Sequence, residues 1–124
     1  ILLSVKVTPI RMSQKLPSVT VDCVMLGYAE NKLQVLLIKR DIDPFDNFWV
    51  LPGGFLQDSE SLEEAALRVL STKTGIDDTF LEQLYTFGKP DRDPRARIVS
   101  VAYFALVNPT AYEIVAGLTS SAIK

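Results

Sequence analysis

A chain of 124 residues, 48% hydrophobic and 23% charged, has the size and balance of one folded domain, which excludes bulk disorder. A net charge of −2 and an isoelectric point near 5.1 exclude a surface that holds nucleic acid by neutralising phosphates. The complete absence of histidine removes imidazole-based nucleophile activation, general-base catalysis and metal ligation together.

Residues 1–17 read as a tail or peripheral strand, with Val5, Val7 and Ile10 extended and Pro9 and Pro17 as breaks. The domain proper spans 18–124. Ser18–Ala29 is rich in β-branched and apolar residues and predicts a long central strand. Its single cysteine, Cys23, reads as a small buried residue in a reducing compartment, hence a cytoplasmic location. Glu30-Asn31-Lys32 predicts a turn and Leu33–Arg40 the returning strand, nearly continuous in apolar residues, as when both sheet faces are covered. Asp41–Asn47 is a loop, and Phe48–Leu51 a short extended piece before a turn at Pro52-Gly53-Gly54.

Ser61 and Glu64 have the spacing of a capping box and predict a helix start. Leu62, Ala65, Ala66, Val69 and Leu70 then repeat at helical spacing, an apolar stripe for a sheet, and Gly75 predicts a left-handed helix end. Asp78–Gly88 is compatible with a helix or a strand, and Leu84–Phe87 favours the strand. Lys89–Arg97 is a charged, proline-broken loop, Ile98–Val107 a buried strand, and Tyr112–Ala116 a further strand candidate. The residues after Gly117 are small and polar, with no structural ending visible. No apolar run approaches the roughly 18–20 residues that span a bilayer, so no membrane partner is expected.

The stretch Leu51–Ile76 joins the glycine turn, the loop and the capped helix. It resembles the signature of the Nudix family, G-x5-E-x7-R-E-U-x-E-E-x-G-U, with Gly54, Glu60, Arg68, Leu70, Gly75 and Ile76 in register. The three glutamates on which that family holds divalent cations and works on a diphosphate are replaced by Val69, Thr72 and Lys73. Valine binds no cation, threonine is a weak neutral ligand, and lysine repels one. The expectation is no metal site and no catalytic residue. Lys73 has two readings: a cation that neutralises a bound diphosphate, or a solvated lysine at the helix C-terminus. Gly53 and Gly54 let backbone approach a phosphate, and Arg68 either binds phosphate or pairs with an acid to orient the loop.

Tyr85–Val107 resembles the Nudix branch that acts on ADP-ribose, above all its transcriptional regulators, through Phe87, Pro90, Arg92, Asp93, Arg95 and Arg97. Guanidinium groups suit phosphate recognition, so Arg92, Arg95 and Arg97 are candidate ligand contacts, with Asp93 holding one in place. Arg40 at a strand end is a further candidate. The aromatic residues Phe45, Phe48, Trp49, Phe55, Tyr85 and Tyr103 read mainly as core or rim, with Phe48 or Phe55 able to stack on an adenine.

The resemblance implies an α/β/α sandwich on a mixed sheet, without its C-terminal helix within this chain. It implies a ligand-sensing domain of a bacterial transcriptional regulator that binds ADP-ribose or a related phosphosugar without hydrolysing it. It further implies a homodimer that contacts DNA only through a winged helix-turn-helix domain outside this chain, and no cofactor. The alternative is a hydrolase of ADP-ribose, which alone requires Mg²⁺ and acids such as Asp91 or Asp93.

Overall fold

Strand β1, Ser18–Ala29, is the axis of the fold, and its residues alternate between two faces of a seven-stranded sheet. The computed structural model describes residues 3–4, 6, 16–40, 47–77, 79–108 and 121–123. The other elements are β2 (Lys32–Lys39), β3 (Trp49–Val50), β4 (Gly53–Phe55), helix α1 (Leu62–Thr74), β5 (Glu82–Phe87), β6 (Ile98–Val107) and β7 (Ser121–Ile123). The main strand order is β3-β2-β1-β6-β5, with β4 added on β1 and β7 on β2. The β1–β6 pair is parallel from Ser18↔Ile98 to Gly27↔Val107, and the other ladders are antiparallel. This is the mixed α/β architecture expected.

One edge of β1 is shared. Its first half pairs with β4 at Thr20–Asp22, and its second half pairs with β2 at Leu26–Ala29. Between them, the Cys23 N–H donates to the Pro52 carbonyl at 2.8 Å. The β1–β2 hairpin turns on Glu30 and Asn31, both left-handed (φ 52° and 59°), as a two-residue type I′ turn requires. Lys32 therefore already belongs to β2.

Helix α1 begins and ends where its sequence signals lie. Ser61 Oγ accepts from the Glu64 N–H and Glu64 Oε1 accepts from the Ser61 N–H, closing the capping box. Gly75, at φ 77°, ends the helix with its N–H on the Ser71 carbonyl. Ala65, Ala66, Val69 and Leu70 are buried against Val21, Cys23 and Met25 of β1 and Val101, Tyr103 and Ala105 of β6. Leu62 is only partly buried at the end of the stripe. Burying a valine- or leucine-sized side chain contributes about 1.5–3 kcal/mol, so this interface dominates local stability.

Several elements differ from the expectations. Gly53 and Gly54 are not turn residues; they are the first two residues of β4, opposite Asp22 and Val21. Glycine reads as a turn because it forms strands poorly, but here tertiary pairing with β1 decides. The ambiguous segment after Asp78 is strand β5, an exposed edge whose register shifts between Gln83 and Tyr85, so that Leu84 sits at an irregularity. Strand β7 pairs with β2 where no element was expected. Of the aromatic residues read as core or rim, Tyr103 is core, and Phe48, Trp49, Phe55 and Tyr85 are exposed. The tail up to Lys15, the loop 41–46 with Phe45, and the candidate strand Tyr112–Ala116 lie outside the described residues, apart from Leu3, Ser4 and Lys6.

Candidate functional site

The two glycines of β4 are required by what faces them. A Cβ on Gly53 would lie 2.2 Å from Asp22 Oδ1 and 3.0 Å from the Val21 carbonyl oxygen. A Cβ on Gly54 would meet Val69 Cγ2 at 3.2 Å. Gly53 thus makes room for a carboxylate on one side of the sheet, and Gly54 for the helix on the other.

On α1 the three substituted positions do not form one solvent-facing surface. Val69 is completely buried and packs on Gly54. Thr72 is exposed, and its hydroxyl donates to the Arg68 carbonyl one turn back at 2.8 Å. Lys73 reaches across to β4, where its ammonium donates to the Gly53 carbonyl. The lysine is exposed, yet it is anchored to the glycine strand rather than simply solvated.

Arg68 is committed to the loop before the helix. Its Nε and Nη2 donate to the two carboxylate oxygens of Glu60 at 2.9 and 2.7 Å, and Nη2 also donates to the Phe55 carbonyl at 2.9 Å. This hydrogen bonding holds the Glu60 carboxyl below its ordinary pKa and raises that of Arg68. Glu60 also accepts from the Gln57 N–H at 2.9 Å, closing the loop Gln57–Glu60 on itself.

The charged loop reaches the same place. Asp93 accepts from the Arg95 backbone N–H and from its guanidinium at 2.8–3.0 Å, which fixes that side chain. These hydrogen bonds bring the Asp93 carboxyl down to about 2. The Arg95 guanidinium lies 6.0 Å from the centre of the Phe55 ring, within reach of a cation–π attraction. Phe55 therefore connects the glycine strand, through its carbonyl on Arg68 and its ring under Arg95, to the loop between β5 and β6. Arg92 donates to the Ile98 carbonyl at 3.0 Å and Arg97 to the Gly88 carbonyl at 2.7 Å, pinning both ends of that loop. Arg40 follows β2; its N–H donates to the Phe48 carbonyl at 2.8 Å and its carbonyl accepts from the Asn47 N–H at 2.7 Å.

Beside the cluster, on the sheet face away from α1, is a cavity of about 470 Å³. Its floor is Asp22, Val24, Ser100 and Ala102 of the parallel pair, and its walls come from Val50, Leu51, Leu84, Phe87 and Arg92. Asp22 Oδ2 accepts from the Ser100 hydroxyl and, at 3.4 Å, from Thr20.

The NUDIX domain model matches residues 16–116. The chain belongs to the Nudix family. It is 44% identical over 99 residues, 78% of its length, to an ADPR responsive transcriptional repressor, NtrR, from Acinetobacter baylyi, covering 40% of that protein. It is 38% identical over 87 residues, 70% of its length, to an ADP-ribose pyrophosphatase from Methanocaldococcus jannaschii, covering 49% of that protein. The chain thus spans half or less of the length of these two relatives. In three dimensions it resembles the NUDIX domain of Shewanella oneidensis NrtR in complex with ADP ribose. That likeness has a TM-score of 0.79 at 38% identity and covers 90% of this chain and 74% of the other.

The Nudix signature explains which residues are in register, and the geometry explains what they do here. The divalent cations that the family pattern implies do not fit the helix face present: one position is enclosed valine, and another is an ammonium already bound to the Gly53 carbonyl. Among the described residues, no group of three or more histidines, cysteines, aspartates and glutamates is placed to hold a metal ion. No described helix is long and apolar enough to cross a membrane. Asp22, which lines the cavity, was not among the candidates read from the sequence. An aspartate centred in an otherwise apolar strand was the available signal, since burial there costs free energy without a compensating contact.

Proposed function

We propose that this Nudix domain senses ADP-ribose or a related phosphosugar by binding it without hydrolysis. In this reading it is the sensor of a dimeric transcriptional regulator, and DNA is bound by a separate winged helix-turn-helix domain outside this chain. The observation that carries the reading is the α1 face, where Val69 is enclosed and Lys73 sits on the Gly53 carbonyl in place of a cluster of carboxylates. Similarity to a repressor described as ADPR responsive supports the choice of ligand.

The diphosphate lies on the rim formed by β4, Lys73 and the Lys89–Arg97 loop. Lys73 and Arg95 supply fixed positive charge there, and Arg92 and Arg97 shape the loop that presents it. The ammonium does the neutralising work of a cation and none of the activation of water.

Hydrolysis of ADP-ribose is the second reading, favoured by the 38% identity to an ADP-ribose pyrophosphatase. One experiment separates the two. The protein is titrated with ADP-ribose by calorimetry and, in parallel, incubated with ADP-ribose and Mg²⁺ while AMP release is measured. Binding without AMP is the expected result; AMP formation overturns the sensor reading. Lys73→Ala is expected to weaken ADP-ribose at least tenfold, and unchanged affinity removes the lysine from the site.

A further inference from the structure

Phe55 closes β4 with its backbone fixed on two sides. It stands opposite Thr20 of β1, and the next N–H, that of Leu56, donates to the Val19 carbonyl at 2.9 Å. Its own carbonyl accepts from Arg68 at 2.9 Å. The side chain adds little to the core, being 50% exposed. An exposed apolar side chain is ordinary in itself. What sets this one apart is the cation over its ring.

The Arg95 guanidinium lies 6.0 Å from the ring centre, at the outer limit of the range in which an aromatic face attracts a cation. Nε and Nη2 of the same group are forked on the Asp93 carboxylate at 3.0 and 2.8 Å. That fork is local: a pair two residues apart travels with the loop that carries it. Arg92 and Arg97, on the Ile98 and Gly88 carbonyls, hold the two ends of the loop. The ring belongs to β4, a different element whose ladder to β1 is fixed. It therefore ties the middle of the loop to the sheet.

We propose that Phe55 is a positioning residue, whose ring keeps the Arg95 guanidinium over β4 for the diphosphate of the ligand. Gly53, two residues earlier on the same strand, carries the Lys73 ammonium on its carbonyl. One short strand thus fixes a cation from the helix and a cation from the loop relative to each other. This role rests on the sensor reading above and gives the ring to the arginine rather than to an adenine.

Calorimetry with ADP-ribose tests it on wild type, Phe55→Leu, Phe55→Tyr, Arg95→Gln and Phe55→Leu combined with Arg95→Gln. The Arg95 Nε–H resonance is followed by NMR in the ligand-free proteins. Leucine keeps an apolar side chain and removes the aromatic face, and no substitution at 55 removes the carbonyl that holds Arg68. Phe55→Leu is expected to weaken ADP-ribose about two- to fivefold, the range of an exposed cation–π contact. Phe55→Tyr restores the affinity. The Arg95 resonance moves in Phe55→Leu and stays in Phe55→Tyr. In Arg95→Gln the leucine costs nothing further, because the contact is already gone. An equal loss with and without Arg95 makes the ring a contact of the ligand itself and overturns the assignment. An unmoved Arg95 resonance, or unchanged affinity in Phe55→Leu, overturns it too and leaves the sensor reading intact. Wild type that binds no ADP-ribose overturns the sensor reading itself, and this role with it.

Discussion

The two faces of β1 are built from the same twelve residues and have opposite surroundings. Toward α1 it presents Val21, Cys23 and Met25, closed off by helix and sheet at 0–1% exposure. Away from α1 it presents Asp22 and Val24 to a cavity. The period of two thus separates a packed face from an open one along a single strand. The packed face explains why the helix persists where the carboxylates of the family pattern are absent. Its apolar stripe is needed for folding whatever its polar edge does.

Changes to the packed face break that division most visibly. Leu70→Ala is expected to cost about 3 kcal/mol by leaving a cavity under α1, with ligand affinity intact under conditions where the variant folds. Denaturant unfolding with calorimetry on the same sample measures both. Gly53→Ala acts on the open face. Its new Cβ collides with Asp22, so a cost of about 1–3 kcal/mol comes together with a large loss of ligand affinity. A Gly53→Ala protein that binds normally refutes the role given to this close approach. Ser61→Ala removes the cap and is expected to cost about 1 kcal/mol without touching either face.

The smallest effect belongs to the rim. Hydrogen bonds from Arg95 place the Asp93 carboxyl at about 2, below its ordinary 3.8. A depressed folded-state pKa contributes stability that is present above the unfolded value and lost as pH falls through the folded one. The Asp93–Arg95 pair therefore loses its contribution between about pH 4 and 2. Asp93→Asn should flatten that part of the melting-temperature profile, and it should also weaken ADP-ribose by releasing Arg95. The packed face supplies a chemical control. Burial, and secondarily the Asp22 charge, pushes the Cys23 thiol up to about 12, so the folded protein should resist alkylation at pH 8.

Elements whose signals are local were legible in the sequence. β1 and β6 have the predicted bounds, and the capping box and Gly75 delimit α1, because each is fixed by adjacent residues. What depends on long-range pairing was not. Gly53 and Gly54 read as a turn because nothing nearby reveals that β1 pairs with them. The hydroxyl partner of Asp22 is Ser100, 78 residues away, brought beside it by a parallel register that no local pattern encodes. Val69 illustrates a subtler limit. Its membership in the apolar stripe was plain, and that same membership prevents it from sharing a surface with Thr72 and Lys73.

The contact of Val69 with Gly54 sets the terms for anyone rebuilding a carboxylate face on α1. A glutamate introduced at 69 enters a fully enclosed position beside Gly54, while the Lys73 ammonium stays on the Gly53 carbonyl. Removing Lys73 first releases the Gly53 carbonyl, and a glutamate added afterwards stands unpaired in an enclosed position, which destabilises the helix. Neither first step is productive alone. A carboxylate-bearing form of this helix therefore needs the Val69–Gly54 contact to open as well as new side chains.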